Sequence, residues 1–400
     1  MTTSDALVIG GGLSGLCMAN ALAHFGLSAT VVERGPLVLG DGPVTDGRTT
    51  AISLSAKRML DQLGLWQVLA QDACPILDIR VSDGPSRLFL HYDHRDVGDD
   101  PMGFIVDNTA LHQSFLAGAQ ARETVTLIGG TSVEHLERQE AGVWATLSDG
   151  SQINAPLAIA ADGRFSPTRA AAGIRTSEHD YRQSSMVCTV SHPEPHHNIA
   201  HERFLPGGPM ALLPMQDNRC SVVWSEETGL AKRLMELDDE RFAAELTKRF
   251  SDALGPLTLI GRRWVYPLSL CHAERYVDRR LALVGDAAHA IHPIAGQGFN
   301  LGLRDIAALA EVLGEARDLG LDFGSVTTLA RYQRWRGFDS AALIVATDAL
   351  NRLFSTDFQP VRMLRGLGLA AVNRTPALKK IFMRHAMGTV GELPKLLRTQ

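Results

Sequence analysis

The chain has 400 residues, of which 45% are hydrophobic and 21% charged, a composition typical of a globular protein with room for two domains. A net charge of −5 gives no reason to expect nucleic acid as a partner, and no apolar run reaches the ~18 residues of a membrane span. Five cysteines without a C-x-x-C pair favour a reduced, cytoplasmic setting, and the N-terminal residues lack the basic segment of a signal peptide.

The first 33 residues contain a glycine-rich turn between two apolar segments. Residues 6–9 and 29–32 are predicted strands, and residues 16–25, rich in Ala and Leu, are a predicted helix. The turn reads G-x-G-x-x-G over residues 10–15. This βαβ unit is typical of a dinucleotide-binding domain, because the helix N-terminus faces the pyrophosphate with its free amides.

Each residue type of this motif has a physical reason. Gly10 allows the tight turn, Gly12 lets the backbone approach a pyrophosphate, and Gly15 lets helix and strand pack closely. Glu33 ends the second strand, where a carboxylate can accept hydrogen bonds from both ribose hydroxyls. The motif predicts a bound dinucleotide but does not separate FAD from NAD.

Two further loops are candidates for the same site. Asp46-Gly47-Arg48 precedes a helix predicted to begin near Ser53, where the chain can fold back over a bound dinucleotide. Predicted strands at residues 125–128, 143–147 and 157–160 follow, and the last ends in Asp162-Gly163, a pair that also suits an ordinary turn.

The segment from residue 281 to residue 305 crosses from a buried strand to a helix. Gly285 permits a sharp turn, and Asp286 lies at the carboxyl end of the strand, where open α/β sheets bind ligands. A helix is predicted from near Gly298, and its amides suit the negative charge that develops on a reduced flavin. Gly296 and Gly298 leave room for a flat ligand.

Three motifs in this order resemble those of the FAD-dependent aromatic hydroxylases, the class A flavoprotein monooxygenases. They are Gly10-x-Gly12-x-x-Gly15, Asp162-Gly163 and Gly285-Asp286. Longer segments resemble the hydroxylases of ubiquinone biosynthesis: DGRTTAIS (46–53), VDNTALHQSF (106–115), ERFLPGGPMALLP (202–214) and HPIAGQGFNLGLRD (292–305). The likeness extends over nearly the whole chain.

The resemblance implies an α/β fold with a Rossmann-like FAD-binding domain, an interleaved antiparallel β-sheet substrate domain and a helical C-terminus. The implied bounds are 1–75, 100–175 and 276–330 for the FAD-binding domain, 76–99 and 176–275 for the substrate domain, and 331–400 for the helical region. The residues expected to bind FAD are Gly10, Gly12, Ser14, Gly15, Glu33, Arg34, Arg48, Asn108, Val133, Asp162, Gly163, Gly285, Asp286, Pro293, Gly296, Gln297, Gly298 and Asn300.

Within that set the resemblance assigns regions of the cofactor. Glu33 takes the adenosine ribose, and Val133 offers backbone groups near the adenine. Asp286 contacts the pyrophosphate and ribityl region, and residues 293–300 cradle the flavin ring. The Asp162-Gly163 pair serves the phosphates of both FAD and NAD(P)H, although Phe165 departs from the A-N-S-x-x-R pattern of many relatives.

The resemblance implies hydroxylation of a polyprenylated phenol with NAD(P)H and O₂, through a C4a-hydroperoxyflavin. No side chain is predicted as a catalytic acid or base, and no metal site is expected. Two alternatives stay open: a class A hydroxylase of a small soluble aromatic, and a non-catalytic flavoprotein in a biosynthetic complex. A flavin halogenase is disfavoured, because its W-x-W-x-I-P signature is missing near Trp264.

Short alternating stretches at residues 186–190 and 220–224 predict the antiparallel sheet. Its apolar residues are candidates for the substrate pocket or for the core, and they are Met210, Leu212, Leu213, Trp224 and Trp264. The histidine cluster of His192, His196, His197 and His201 is interpreted as a hairpin loop rather than a metal site.

The C-terminal 40 residues are strongly basic, with eight Lys or Arg against Glu392 alone. Residues 378–387 form a predicted helix with two faces. One face has Leu378, Ile381, Phe382 and His385, and the other has Lys379, Lys380 and Arg384. This pattern favours peripheral contact with the inner membrane or with partner enzymes, and it also suits a helix that caps its own core.

Overall fold

A computed structural model gives the fold and describes residues 2–38, 47–84, 89–250, 254–354, 368 and 372–399. Strands and helices are numbered here in chain order. The described strands form four sheets, and the expected α/β class with an interleaved antiparallel sheet is confirmed. Asp46, predicted to precede the loop arginine, lies outside the described residues.

The central sheet has six strands in the order β19–β20–β13–β2–β3–β9, and only the β19–β20 pairing is antiparallel. Its strands are β2 (Ala6–Ile9), β3 (Ala29–Glu33), β9 (Val125–Gly129), β13 (Leu157–Ala160), β19 (Val277–Asp278) and β20 (Leu281–Leu283). Every residue of β2, β13 and β20 is buried, as expected for parallel strands covered on both faces.

Three helices pack with the central sheet in one hydrophobic core. They are α1 (Leu13–His24), α4 (Asn108–Gln120) and α8 (Gln297–Asp318). The Asp107 carboxylate accepts a hydrogen bond from the Thr109 amide at 2.7 Å, which caps α4. Helix α1 begins directly after the glycine turn, so its free amides lie at the carboxyl ends of the strands.

Two small sheets join the central one. The four-stranded sheet runs β1–β12–β11–β10, with β1 (Thr2–Thr3), β10 (Val133–Arg138), β11 (Val143–Leu147) and β12 (Gln152–Ala155). The three-stranded sheet runs β4–β8–β5, with β4 (Thr49–Ser53), β5 (Cys74–Ile76) and β8 (Gly103–Asp107). The Ser53 hydroxyl accepts from the Ala56 amide at 3.3 Å and caps the helix that follows β4.

The fourth sheet has eight strands in the order β21–β18–β14–β17–β16–β15–β6–β7. They are β6 (Asp78–Asp83), β7 (Phe89–Asp93), β14 (Thr176–Ser191), β15 (Ile199–Leu205), β16 (Gly208–Met215), β17 (Arg219–Glu227), β18 (Thr258–Ala273) and β21 (His289–Ala290). Only β15 and β6 pair in parallel. Most of this sheet comes from the two segments predicted to form the substrate domain, and that role stays a prediction.

Other helices among the described residues are α2 (Leu54–Gln62), α3 (Trp66–Leu69), α5 (Pro167–Ala171), α6 (Thr228–Met235), α7 (Asp239–Phe250), α9 (Val326–Phe354) and α10 (Pro376–Ala386). Single 3₁₀ turns lie at His94–Asp96, Gly285–Ala287, Ile294–Gly296 and Lys395–Leu397. Among the described helices, none has the length and apolarity needed to cross a membrane.

One local prediction is wrong. The histidine-rich segment is not a hairpin loop, because the strands it joins, β14 and β15, are separated in the sheet by β17 and β16. The loop therefore crosses one end of the sheet. His192 and His196 are buried there. His192 Nδ1 lies 2.7 Å from the Glu194 carbonyl oxygen, and His196 Nε2 lies 2.7 Å from the Met215 carbonyl oxygen.

Candidate active site

The predicted cofactor residues gather at one edge of the central sheet. Strand β13 pairs with both β2 and β20, with Ala160 opposite Ile9 and Leu283. The three turns that follow these strands, at residues 10–15, 162–163 and 285–286, therefore lie side by side. This is the carboxyl edge, where open α/β sheets bind their ligands.

The glycine turn has the space that a dinucleotide needs. A Cβ added at Gly15 would lie 1.8 Å from the Gly10 carbonyl oxygen, so only glycine fits where α1 packs on the turn. A Cβ added at Gly12 would meet no atom within 4 Å. The turn is thus tightly packed at Gly15, next to α1, and open at Gly12, where the pyrophosphate is predicted to bind.

Glu33 joins the glycine turn to the segment after β3. Its carboxylate accepts hydrogen bonds from the Gly11 amide at 2.6 Å and the Gly35 amide at 2.8 Å. Each oxygen keeps acceptor capacity for a ribose hydroxyl. The Thr131 amide donates to the Glu33 carbonyl at 3.2 Å, so the loop before Val133 reaches the same end of the cleft.

The Asp162-Gly163 pair faces this edge with an unused acceptor. One Asp162 oxygen accepts from the Thr168 amide at 3.1 Å, while Oδ1 is buried without a partner among the described residues. Buried polar atoms are normally hydrogen-bonded, so an orphaned carboxylate oxygen fits a bound ligand that donates to it. Next to it, Arg169 is buried and donates to the Ala287 carbonyl at 2.8 Å.

Asp286 lies on the wall of a cleft. Its side chain is exposed to solvent, yet the surrounding protein raises its pKa, while the charges of His289, Arg48 and Arg164 act in the opposite direction. A carboxylate that is accessible to solvent but surrounded by protein is typical of a binding cleft. The electrostatic interaction with Arg48 also shows that this loop residue lies near Asp286, although the two are far apart in sequence.

A buried charge network holds the turn that carries Asp286. Gly285, with φ +59°, donates its amide to Asp305 Oδ2 at 3.2 Å. The same oxygen lies 2.5 Å from His289 Nε2, and Asp305 Oδ1 accepts from Arg336 Nε at 2.8 Å. All three side chains are nearly inaccessible to solvent. Burial raises the pKa of Asp305, but the charges of His289 and Arg336 outweigh it and lower the pKa overall.

The N-terminal part of α8 packs against this turn, since a Cβ added at Gly302 would lie 3.1 Å from Gly285 Cα. Gly296 precedes the helix with φ +61°, a conformation that favours glycine. Asn300 fixes this corner: its side chain donates to the carbonyls of Ala51 and Gly296 and accepts from the Ser53 amide at 2.9 Å. Its amide group is thus occupied within the protein, and Asn300 shapes the predicted flavin cradle by holding β4 against α8.

Two more predicted residues lie beside this corner. The Asn108 amide donates to the Arg48 carbonyl at 3.1 Å, and its side-chain oxygen accepts from the Thr50 hydroxyl at 2.6 Å. The Arg48 guanidinium stands 5.2 Å from the ring centre of Tyr266 on β18. Arg48 therefore connects the cofactor edge with the eight-stranded sheet. Arg34, by contrast, is exposed, and the described contacts do not bring it to the other predicted residues.

One face of the eight-stranded sheet looks into the cleft. The Ser221 hydroxyl accepts from the Thr49 hydroxyl at 2.8 Å, and Trp264 closes over Gly47, where a Cβ would come within 2.3 Å of the ring. Gln183 on the same face lies 3.2 Å from His292 Nε2. The flavin-side loops and the sheet thus enclose a common space.

This orientation divides the apolar candidates between the core and the cleft face. Met210, Leu212 and Trp224 point to the opposite face, where they are almost fully buried against α6 and α7. Leu213 lies on the cleft face, half-buried, in a cluster with Ala51. Trp264 also lies on the cleft face. Successive residues of a strand point to opposite faces of the sheet. For this reason Leu212 and Leu213 of β16 lie on different faces.

Sequence reasoning did not single out the buried network around Asp305. An acidic residue on the apolar face of a predicted helix was the available signal, because such a residue needs a buried partner. The partner, Arg336, lies 31 residues further along the chain, and no local pattern links the two. Tyr266 and Gln183 were also missed, since their roles depend on the orientation of the sheet.

Comparison with known proteins agrees with this geometry. The model of the FAD-binding-domain family matches residues 3–333. The chain is 47% identical to ubiquinone hydroxylase UbiL of Rhodospirillum rubrum, covering 99% of this chain and 92% of the relative. It is 34% identical to the 3-demethoxyubiquinol 3-hydroxylase of Escherichia coli, covering 96% and 98%. Among solved structures, p-nitrophenol 4-monooxygenase PnpA of Pseudomonas putida shares the fold, with a TM-score of 0.80 at 19% identity over 97% and 99% of the two chains.

The chain belongs to the FAD-binding-domain family, within the class A FAD-dependent aromatic monooxygenases that include the ubiquinone hydroxylases. It is therefore a flavoprotein monooxygenase that uses NAD(P)H and O₂. The resemblance drawn from the sequence motifs is confirmed.

Proposed function

We propose that the chain hydroxylates the aromatic ring of a polyprenylated phenol in ubiquinone biosynthesis. The observation that carries this proposal is its 47% identity, over nearly all of both chains, to a relative named as a ubiquinone hydroxylase. The site supports it, because the corner at the N-terminus of α8 meets the apolar side of the eight-stranded sheet, where Ala51 packs with Ala200 and Leu213.

The predicted FAD-binding residues are expected to bind successive parts of the cofactor from the adenosine to the flavin. Glu33 and the loop before Val133 lie at the end where adenosine is expected. The glycine turn and Asp286 border the middle, where a pyrophosphate meets the free amides of α1. Gly296 and its neighbours border the flavin end. This order supports the assignment of the site residues as a whole.

Bound FAD supplies the oxygen-activating chemistry, with NAD(P)H as reductant. The chain's own residues bind and orient. The amides at the start of α8 stabilise negative charge on the flavin edge, and the Asn300 hydrogen bonds keep that helix end against β4. The buried pair of Asp305 and Arg336 holds the turn of Asp286 in place from inside the protein, where both side chains are inaccessible to solvent.

The apolar part of the substrate has a suitable lining. Ile76, Ile105 and Ala200 are buried together, with Ala51, Leu213 and Met215 packed against them. This cluster bridges the flavin corner and the cleft face of the eight-stranded sheet, since a Cβ on Gly296 would lie 2.9 Å from Ala51 Cβ. Such a lining excludes water and favours a phenol that carries a hydrocarbon chain.

Helix α10 supports a second part of the proposal, contact with an anionic membrane surface. Leu378, Ile381 and Phe382 form a stripe that is 45%, 51% and 48% exposed. Beside it, Lys380 and Arg384 are exposed and have no carboxylate partner among the described residues. An apolar stripe flanked by cations fits a lipid surface better than it fits water.

The helix also lies close to the flavin corner. Met383 and Met387, on its buried side, pack with Leu54 and Met102, and the Ser55 amide donates to the Met387 carbonyl at 3.1 Å. Ser55 lies two residues after Ser53, whose backbone amide donates to the Asn300 side chain. A membrane bound to α10 would therefore lie near the end of the cleft where the prenylated ring is expected.

A profile of isoprenoid quinones in cells lacking this chain tests the pathway. We expect a prenylated phenol that lacks one hydroxyl to accumulate, identified by mass spectrometry and restored to normal by the wild-type gene. An unchanged quinone pool in cells that carry no second hydroxylase of this kind contradicts the proposal and favours a small soluble aromatic substrate.

A further inference from the structure

Glu202 is an acidic residue in the middle of the cleft face. It lies on β15, opposite Ala211 of β16 and Val81 of β6. Residues that face each other across strands share one side of a sheet. Ala211 and Val223 are also opposite each other, and Leu213 is opposite Ser221, which binds Thr49. Glu202 therefore points to the side of the cofactor loops.

Its neighbours along the strand define its position more closely. Two residues before it, Ala200 belongs to the apolar cluster that includes Ala51 at the flavin corner. Two residues after it, Phe204 stacks on Phe354 of α9, with ring centres 3.9 Å apart. Glu202 thus lies between the flavin corner and an aromatic stack, where the apolar lining is interrupted by one carboxyl group.

No partner for this carboxyl group lies among the residues that the structure describes. The described residues provide no hydrogen bond or ion pair for it, although its side chain is half-buried and closely surrounded by protein. Burial alone raises the pKa of Glu202 to about 7. An ionisable group without a partner in an apolar cleft is costly, and such groups are typical of sites that bind or transform a ligand.

Charged groups on the surrounding elements do not counteract the effect of burial on the pKa of Glu202. On β6 the titratable residue of the same face is Asp83, opposite Phe204. The facing positions of β16 and β17 are uncharged, and on α9 Asp348 accepts a hydrogen bond from Tyr181 at 3.1 Å. His201 and Arg203 point to the other side of the sheet, since their positions alternate with that of Glu202.

We propose that Glu202 is the catalytic base that binds the phenol hydroxyl of the substrate and takes up its proton. This inference rests on the proposed function, since it requires a phenol in the cleft. Its geometric basis is a carboxyl group on the cleft face that has no partner among the described residues and lies two residues along β15 from Ala200 of the apolar cluster at the flavin corner. A hydrogen bond from the phenol to this carboxylate also fixes which way the ring faces the flavin.

The proton and electron balance of the step is simple. The phenol proton moves to the Glu202 carboxylate, and the electron pair of the O–H bond remains on the oxygen and delocalises into the ring. An activated ring carbon then bonds to one oxygen atom of O₂ while the O–O bond breaks. NAD(P)H supplies the two electrons as a hydride through the flavin, and solvent supplies one further proton for the water that forms. The ring carbon releases its proton, the second oxygen atom leaves as water, and Glu202 returns its proton to the phenol oxygen.

The test compares Glu202→Gln with Glu226→Gln in the FAD-loaded protein. Glu226 is the matched control, because it lies on the same sheet with its pKa also raised by burial, but on the opposite face. The substrate probe is a geranylated phenol. The second probe is its nitro derivative, whose phenolate absorbs visible light and reports ionisation in the site without any turnover.

We expect Glu202→Gln to lower kcat/KM for hydroxylation by about 100-fold, the usual scale of general-base catalysis. Wild-type kcat/KM should fall as the pH drops through about 7, where the carboxylate is protonated, and Glu202→Gln should lose this dependence. The variant should also lose ionisation of the bound nitro probe. Flavin content and the rate of flavin reduction by NAD(P)H should stay unchanged, and Glu226→Gln should behave as the wild type.

Two results overturn the inference and are distinct from each other. If the wild type hydroxylates the probe and Glu202→Gln retains both kcat/KM and the pH profile, Glu202 is not the base and the proposed function stands. If the wild-type protein reduces its flavin but hydroxylates no prenylated phenol, the proposed function fails and the inference fails with it.

Discussion

Asp305 and Arg336 form a buried ion pair, 2.8 Å apart, beneath the turn that carries Asp286. Asp305 also accepts a hydrogen bond from the Gly285 amide and lies against the His289 ring. Both charges are compensated within the protein. The buried carboxylate of Asp305 therefore supports the turn whose next residue, Asp286, faces the cleft. The pair joins α8 to α9 and so links α9 to the cofactor edge.

Removal of one partner of this pair is expected to be costly. Arg336→Met leaves Asp305 charged and buried, and the free energy of unfolding should fall by about 3–5 kcal/mol. Urea denaturation measures this change. The matched control is Arg304→Met, whose partner Asp339 is 43% exposed, with an expected loss of about 1 kcal/mol or less. Equal losses in the two variants contradict this account of the network.

The glycine turn offers a pair of variants that separates folding from cofactor binding. Gly12→Ala places a methyl in open space at φ −73°, so the FAD-free protein should keep its stability or gain about 0.4–1 kcal/mol. Its affinity for FAD should fall, because the methyl occupies the space predicted for the pyrophosphate. Gly15→Ala should destabilise the FAD-free protein by roughly 1–3 kcal/mol, since the methyl meets the Gly10 carbonyl.

Thermal unfolding without FAD and flavin fluorescence titration measure the two effects. A Gly12→Ala protein that binds FAD as tightly as the wild type shows that the pyrophosphate does not lie over this turn.

Much of this edge could be predicted from the sequence, because local chemistry determines it. Buried parallel strands are short apolar runs, and the turns between them need glycine, so the strand at Ala6–Ile9 and the start of α8 near Gly298 were found within a residue. The alternation of the antiparallel strands was also visible. Alternation cannot say which face meets the cofactor, and for that reason Met210 and Trp224 were considered for the pocket although they lie in the core against α6 and α7.

His292 is expected to make the protein less stable in mild acid. It is 1% exposed and lies against Gln183, and burial lowers its pKa to about 4, with Asp348 acting weakly in the opposite direction. Below the unfolded value of about 6.5, the unfolded chain takes up a proton that folded His292 does not accept. Stability is therefore lost as the pH falls from about 6.5 towards 4.

Between pH 7.5 and pH 5 this single group should cost about 2 kcal/mol of unfolding free energy. His292→Gln should show a smaller loss by that amount in urea denaturation at the two pH values. His385→Gln, which changes an exposed histidine of α10, is the control and should follow the wild type. A His292→Gln protein with the full wild-type loss contradicts the burial of a neutral imidazole.

The stripe on α10 predicts binding to anionic lipid vesicles. Wild-type protein should sediment with vesicles that contain phosphatidylglycerol, and added salt should weaken this binding. The double variant Ile381→Glu, Phe382→Glu should lose it by at least about tenfold, because two apolar anchors become anions. Leu319→Glu changes a residue that is 71% exposed at the end of α8 and should have no effect. Equal binding by all three proteins contradicts a membrane role for α10.

The most direct test of the central claim is a turnover of the purified, FAD-loaded protein with NAD(P)H, isotopically labelled O₂ and a geranylated phenol. Mass spectrometry should find a product that has gained one labelled oxygen atom on the ring, and its NMR spectrum should identify the carbon. Oxidation of NAD(P)H that yields only hydrogen peroxide, with the phenol recovered unchanged under conditions where it binds, contradicts the claim.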